Sequence, residues 1–229
     1  LLKLDNLSKA EKHFKESIIL DTTSFEPVYY LGYTYLEKGG LEEYKRGDDG
    51  SAENRDYLRA VQCFERILAR DSTYKDIYFS LGIVYQHMAL HNEAEHYFEK
   101  AIAAGQAPNK SLMRLYWVLM EQEKFVKACE KYYKGLEKLV TPEALDRVYD
   151  ETSIIMSDKE REMYERQPLD DKGNYLKRIW KKRDPTPTTP RNERLETHFR
   201  RLKQAREAFP FNKPPYFDDR GRVFIKYGI

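Results

Sequence analysis

Cysteine and tryptophan are scarce in this chain, with two of each among 229 residues. Cys63 and Cys129 match no metal-ligand spacing, so neither a disulfide framework nor a zinc site is expected. No apolar run approaches the roughly 18 residues that a membrane-crossing helix needs. No secretory leader pattern is visible. Without an initiator Met, and beginning inside a helix-like pattern, the chain reads as a fragment of a longer one. A Gly-x-Ser-x-Gly elbow, an activated-cysteine pattern and a glycine-rich phosphate loop are all missing, so hydrolase and nucleotide chemistry have no carrier. The reading is of a non-enzyme without metal or cofactor. What the chain does have is charge (34%) and aromatic residues (14%), 18 of them tyrosine. That is too much apolar material for a disordered chain.

The charge is unevenly spread. From Asp170 onward there are sixteen basic residues against eight acidic ones, while the remainder carries 24 against 30. Two modules are expected from this asymmetry.

The first module repeats itself. Leu81, Gly82 and Tyr85 are followed by Ala94, Phe98 and Ala101, and 34 residues later come Leu115, Tyr116 and Leu119, then Ala128, Tyr132 and Gly135. Fifty residues earlier stand Leu31, Gly32 and Tyr35, then Ala60, Phe64 and Ile67, so this copy carries sixteen extra residues, around 41–56. A half copy at the start supplies Ala10, Phe14 and Ser17. Small residues let two helices approach, and the large ones fill the gaps between neighbouring pairs. A 34-residue period with Leu-Gly-x-x-Tyr and Ala-x-x-x-Phe-x-x-Ala resembles the tetratricopeptide repeat.

The fold class expected is mainly α: an α-solenoid of about three repeats over 1–140, capping helices over 141–166, and a small α+β module over 167–229. The first repeat helix is expected to run to about Lys38, with Gly39-Gly40 breaking or relaxing it. Asp-Asp-Gly-Ser in the insertion is turn chemistry, and the insertion is read as a solvated loop or a helix extension with a flexible tip, or else as a partner-specific loop. Pro108 is read as a stop for the central copy. Ser157 to Glu160 is a capping-box pattern. Gly173-Asn174 are placed before a helix that reaches Arg183. Asn192 and Glu193 lead into a long helix. Val223 to Tyr227 reads as a strand whose partners would lie in another segment.

The string IWKKRDPTPTTPRNE, with Trp180, Arg183, Asp184, Pro185, Pro187, Pro190, Asn192 and Glu193, resembles the start of the bacterial GWxTD domain. Asp219, Arg220, Gly221 and Arg222 match that family's Asp-Arg-Gly-Arg core, which in the family runs into a strand. Pro215, Tyr216 and Asp218 depart from the Gly, Trp and Thr of its naming motif. The resemblance spans about 157–229. It implies a bacterial source, where such domains often occur in exported proteins, and it implies no established activity.

The tetratricopeptide resemblance also implies a concave groove. Its lining positions carry over to Tyr29, Tyr33, Leu36, Phe79, Ile83, Gln86, Met113, Trp117 and Met120. Eight of these nine are apolar or aromatic, so the groove is expected to hold a protein or peptide partner, or the chain's own C-terminal module. Ordinary packing between repeats is the competing reading. His87, His91 and His96 fall on different parts of a helix pair and read as surface histidines rather than metal ligands. Lys177, Arg178, Lys181, Lys182 and Arg183, with Arg200, Arg201, Lys203 and Arg206, form a basic module that is the alternative site, for nucleic acid or another anionic surface. No DNA- or RNA-binding signature accompanies it, and a solvated face, with some of the arginines paired to Asp184, Glu193, Glu196 and Glu207, is the simpler reading. An activity in the complete C-terminal domain, with Asp219, Arg220 and Arg222 as charged candidates, is the third.

Overall fold

The structure is a computed structural model that describes residues 2–46, 55–139, 141–213 and 215–228, with side chains in the first stretch described from residue 4 to residue 41. Among the described residues it is mainly α, with twelve helices and no strand. The helices are α1 (Leu2–Leu20), α2 (Glu26–Arg46), α3 (Arg55–Leu68), α4 (Ile77–His87), α5 (His91–Ala103), α6 (Pro108–Glu121), α7 (Phe125–Glu137), α8 (Pro142–Ser153), α9 (Asp158–Glu165), α10 (Leu169–Lys182), α11 (Glu193–Ala208) and α12 (Asp219–Tyr227). They form two compact units, Leu1–Gln122 and Glu123–Ile229. The division falls inside the third sequence copy, so α6 belongs to the first unit and α7 to the second.

In the first unit each helix packs against the next in sequence. Glycine makes the approach possible. A Cβ built on Gly32 would lie 2.6 Å from Cε1 of Phe64, and one on Gly82 would lie 2.6 Å from Cδ1 of Phe98. The same glycine-on-phenylalanine interlock therefore joins α2 to α3 and α4 to α5, with the insertion carried between the partners of the first pair. Phe64, Phe98, Ala60, Ala94, Leu81 and Leu115 are all fully buried.

The turns follow the same economy. At the end of α4 the Leu90 amide donates to Tyr85 O (3.0 Å) and the Ala89 amide to Gln86 O (3.1 Å), with Ala89 in the left-handed region at φ 55°. At the end of α5, Gln106 donates to Ala101 O (2.8 Å) and Gly105 to Ile102 O (3.2 Å), with Gly105 at φ 70°. Both are Schellman closures, but only the second uses the residue suited to that backbone. Gly105, not Pro108, ends α5, and Pro108 sits at the first position of α6, where its missing N–H costs nothing.

Gly39-Gly40 do not break α2, which continues to Arg46. A Cβ on Gly39 would lie 2.4 Å from Cε1 of Tyr57, so this glycine makes room for a buried ring instead of ending a helix. Within the predicted insertion, residues 41–46 extend α2 and 55–56 open α3, as the helix-extension reading has it, and 47–54 lie outside the described residues.

In the second unit α10 packs against α7, α8 and α9, and α11 against α12. Two expectations are corrected there. First, α10 starts at Leu169, and Gly173 lies inside it. A Cβ on Gly173 would fall 2.0 Å from the backbone oxygen of Leu136 in α7, so the glycine is a contact point rather than a helix boundary. Second, residues 223–227 are helical. Asp218 caps α12 by accepting from the amides of Arg220 (2.9 Å) and Gly221 (3.4 Å), and Gly228 closes it at φ 79°. Gly221 and Ile225, four residues apart, are its buried positions. Caps at both ends and one buried face outweigh the β-propensity of Val-Phe-Ile. The α+β character expected of the last module is thus absent among the described residues, apart from an isolated bridge between Pro210 and Phe217.

Candidate functional site

The first unit brings α2, α4 and α6 side by side, and two side-chain contacts fix their register. The Tyr33 hydroxyl lies 2.8 Å from Ser80 Oγ, joining α2 to α4. The Arg114 guanidinium donates to Gln86 Oε1 at 3.3 Å, joining α6 to α4. Ser80 is itself fully buried; its hydroxyl donates to Asp76 O (2.9 Å) and lies 3.5 Å from the Tyr29 hydroxyl. Burial pushes the Tyr33 hydroxyl well above its ordinary pKa, so it stays a neutral hydrogen-bonding group across the physiological range.

The nine predicted lining residues divide in two. Tyr29, Leu36 and Phe79 are buried. Tyr29 packs edge-on against Tyr33 (5.1 Å between centroids) and Phe64 (5.8 Å), and Phe79 lies 5.9 Å from Phe98. These three hold the helices together. Tyr33, Ile83, Gln86, Met113, Trp117 and Met120 are half-buried and come from every second helix. Elsewhere in this unit a cleft of about 330 Å³ is lined by Ile18, Val28, Leu31, Tyr35, Arg59, Gln62, Cys63 and Arg66. Burial pushes the Cys63 thiol up to about 11, which leaves it unreactive at neutral pH. His87 ends α4, where its Nδ1 lies 3.5 Å from the Tyr57 hydroxyl, while His91 and His96 both belong to α5. Among the described residues no group of three histidine, cysteine or carboxylate side chains could hold a metal ion. None of the described helices is long and apolar enough to cross a membrane.

In the second unit the proline-containing string is joinery. Trp180 is fully buried. The Arg183 guanidinium donates to both oxygens of Glu160 (2.6 and 3.2 Å) and to Ile155 O (3.0 Å). Glu160 also accepts from the Ser157 amide (2.9 Å) in the predicted capping box. The Arg183 contact, aided by Ser157, holds the Glu160 carboxyl down at about 2. Asp184 accepts from the Thr186 amide (3.0 Å), and the Thr186 hydroxyl donates to Glu193 (2.6 Å). Pro185, Pro187 and Pro190 are exposed between these contacts.

Asn192 does the most. Its Oδ1 accepts from the Leu195 amide (2.8 Å) and caps α11. Its Nδ2 donates to Trp180 O and to the Tyr133 hydroxyl, both at 2.9 Å. One side chain thus ties α7, α10 and α11. Arg220 pairs with Asp218 (2.7 and 2.9 Å), Arg222 lies 3.8 Å from the exposed Asp219, and Gly221 is pressed on Phe217. These are the contacts of a helix start.

Much of the basic module is already paired. Lys177 meets Glu137, Arg178 meets Asp171 at 2.9 Å, Arg191 and Arg200 share Glu196, and Arg206 meets Glu151 at 2.5 Å. Sequence reasoning reached Glu196, which stands four and five residues from Arg200 and Arg191, but not Asp171, Glu137 or Glu151, which stand 7, 40 and 55 residues from their cations. A cleft of about 440 Å³ does retain cationic lining, from Arg161, Arg222 and Lys226 beside Ser153, Ile154, Val223 and Tyr227. No protein-family model matches the chain, and no curated protein matches it.

Proposed function

We propose that this chain is a non-catalytic interaction protein. Its first unit acts as a short α-solenoid of the tetratricopeptide kind, holding a peptide or partner segment across Tyr33, Ile83, Gln86, Met113, Trp117 and Met120. The observation that carries this reading is the recurrence of half-buried apolar side chains on α2, α4 and α6, helices joined by the Tyr33–Ser80 and Gln86–Arg114 contacts. A row of that kind offers an apolar strip with polar groups beside it, which suits an extended or helical peptide. The fixed period of small and large residues supports the repeat reading. The second unit keeps the sequence resemblance to the start of the GWxTD domain, with a helix where that family runs into a strand; assembly is the role that fits its dense internal pairing.

The test is affinity capture with the full chain and with Ile83→Ala, Trp117→Ala and Met120→Ala combined. Truncating half-buried side chains on two helices should abolish retention of a specific partner while far-ultraviolet circular dichroism stays helical. Overlapping peptides from that partner should then bind the natural chain and not the variant. Retention unchanged by the triple substitution would overturn the reading.

A further inference from the structure

The richest convergence of side chains that the interaction face does not explain surrounds Lys75. Its Nζ lies 4.5 Å from the ring centroid of Tyr30, 5.0 Å from that of Tyr29 and 5.5 Å from that of Tyr74. It also donates to the Tyr30 hydroxyl and to Glu26 Oε1, both at 3.4 Å. Three electron-rich rings and one carboxylate around a single ammonium have the make-up of an aromatic cage for alkylated ammonium groups.

The walls are set by packing independent of Lys75. Tyr29 is buried and meets Tyr74 edge-on at 5.7 Å, Tyr74 meets Phe25 at 5.4 Å, and Tyr30 stacks on Phe14 at 5.9 Å. The occupant, by contrast, is loosely held. The Lys75 side chain is 36% exposed, its contacts to oxygen are long, and its backbone sits in the left-handed region at φ 44°. Non-glycine residues there carry strain that clusters at ligand clamps.

Hydration decides which cation the cage prefers. A primary ammonium is compact and strongly hydrated, so leaving the rings for water costs lysine little. A methylated ammonium has lost its donors and most of its hydration while keeping its charge. It gains more from the rings and has less to recover in solvent.

We propose that Tyr29, Tyr30, Tyr74 and Glu26 form a binding site for methylated ammonium groups, with Lys75 as its resident and displaceable occupant. The site goes beyond the peptide-binding reading and stands or falls without it, since it is tested with small cations. Its ligand is a quaternary ammonium, carried either by a free choline-like molecule or by a trimethylated lysine side chain.

The experiment is calorimetric titration of the full chain with tetramethylammonium, before and after Lys75→Gly, which empties the cage and relieves the backbone. The variant should bind roughly tenfold more tightly than the natural chain, and adding Tyr74→Leu should remove the gain. Choline and a trimethyllysine peptide, run in parallel, tell the two sources apart. The neutral isostere 3,3-dimethylbutanol should not bind. Equal affinity in the natural chain and the variant, or equal binding of the neutral isostere, overturns the site. Should Lys75→Gly fail to fold, nuclear magnetic resonance of the natural chain decides. Tetramethylammonium should release the Lys75 ε-methylene protons from the ring currents of the three tyrosines, and ε-methylene signals that stay put at saturating cation overturn displacement.

Discussion

The two units solve the same packing problem with different chemistry. The first is held mainly by aromatic rings on glycine and on one another: Gly32 with Phe64, Gly39 with Tyr57, Gly82 with Phe98, and the Tyr29, Tyr33 and Phe64 cluster. It also has a dense charged knot at Glu11, which meets Lys15 (2.6 Å), Lys38 and the Tyr35 hydroxyl (3.1 Å). The second unit spreads buried or half-buried carboxylates through its core, each with arginine: Glu151, Glu160 and Glu196. Ring packing does not titrate, whereas a core built on charge and one buried histidine does. The second unit should therefore answer to pH and to single atoms of backbone contact, and the first to ring shape.

The sharpest way to break that contrast is at its two kinds of glycine. Gly173→Ala sets a methyl against the Leu136 carbonyl oxygen, a backbone atom that cannot rotate away. Destabilisation of about 3 kcal/mol or more is expected, read as lost hydrogen-exchange protection across α7 and α10. If α7 and α10 keep their protection, the close approach is not what fixes them.

Acid is the next lever. His198 is buried against Trp180 (4.8 Å). Burial, reinforced by Arg194, Arg201 and Arg206, lowers its pKa to about 3. The folded chain keeps it neutral where the unfolded chain binds a proton, so stability is full above the ordinary pKa near 6.5 and falls as pH drops towards 3. About 2 kcal/mol should be gone by pH 5. The first unit's Glu11, held at about 2 against burial by Lys15, Lys38 and Tyr35, loses its contribution only as pH falls from about 4.5 towards 2. Tryptophan fluorescence and exchange at pH 5 should show α10 and α11 loosening before α1 and α2, and His198→Leu should remove that order. Simultaneous loosening at pH 5 would undo the contrast.

Gly82→Ala tests the ring side. The methyl meets Phe98, whose ring can shift where a carbonyl cannot, so the cost should be smaller than at Gly173, about 1 to 2 kcal/mol by chemical denaturation. The smallest effect has the opposite sign. Ala89 closes α4 at φ 55° where α5 uses Gly105, so Ala89→Gly should stabilise by about 0.5 to 1 kcal/mol in the same assay. A loss of stability there would show that the left-handed closure is not strained.

Much of this was legible in the sequence, for local reasons. Gly32, Phe64, Gly82 and Phe98 announced themselves by period, and the Ser157–Glu160 box and Asn192 by position before a helix. Among the groove positions, Tyr29, Leu36 and Phe79 could not be told from the half-buried six, because periodicity gives a helix face and not the depth of each side chain on it. Gly39 and Gly173 were misread as breaks for one reason: a glycine that ends a helix and a glycine that admits a neighbour look alike until the neighbour is known. Residues 223–227 were misread because β-branched and aromatic residues carry a strand preference that two caps and the α11 contact override. Glu196 stands at helical spacing from Arg200, but Glu160 and Glu151 stand 23 and 55 residues from Arg183 and Arg206, where no spacing rule reaches.

Asn192 also sets a clock. An asparagine ages when the next residue's backbone nitrogen attacks its side-chain carbonyl, expelling ammonia. Here that side chain is held by three hydrogen bonds at a helix start, so it should age slowly, and peptide mapping after long incubation should find it intact while the exposed Asn212 has converted. If it does convert, the resulting carboxylate can no longer donate to Trp180 O or Tyr133, and the seam between α7, α10 and α11 would open as a matter of elapsed time.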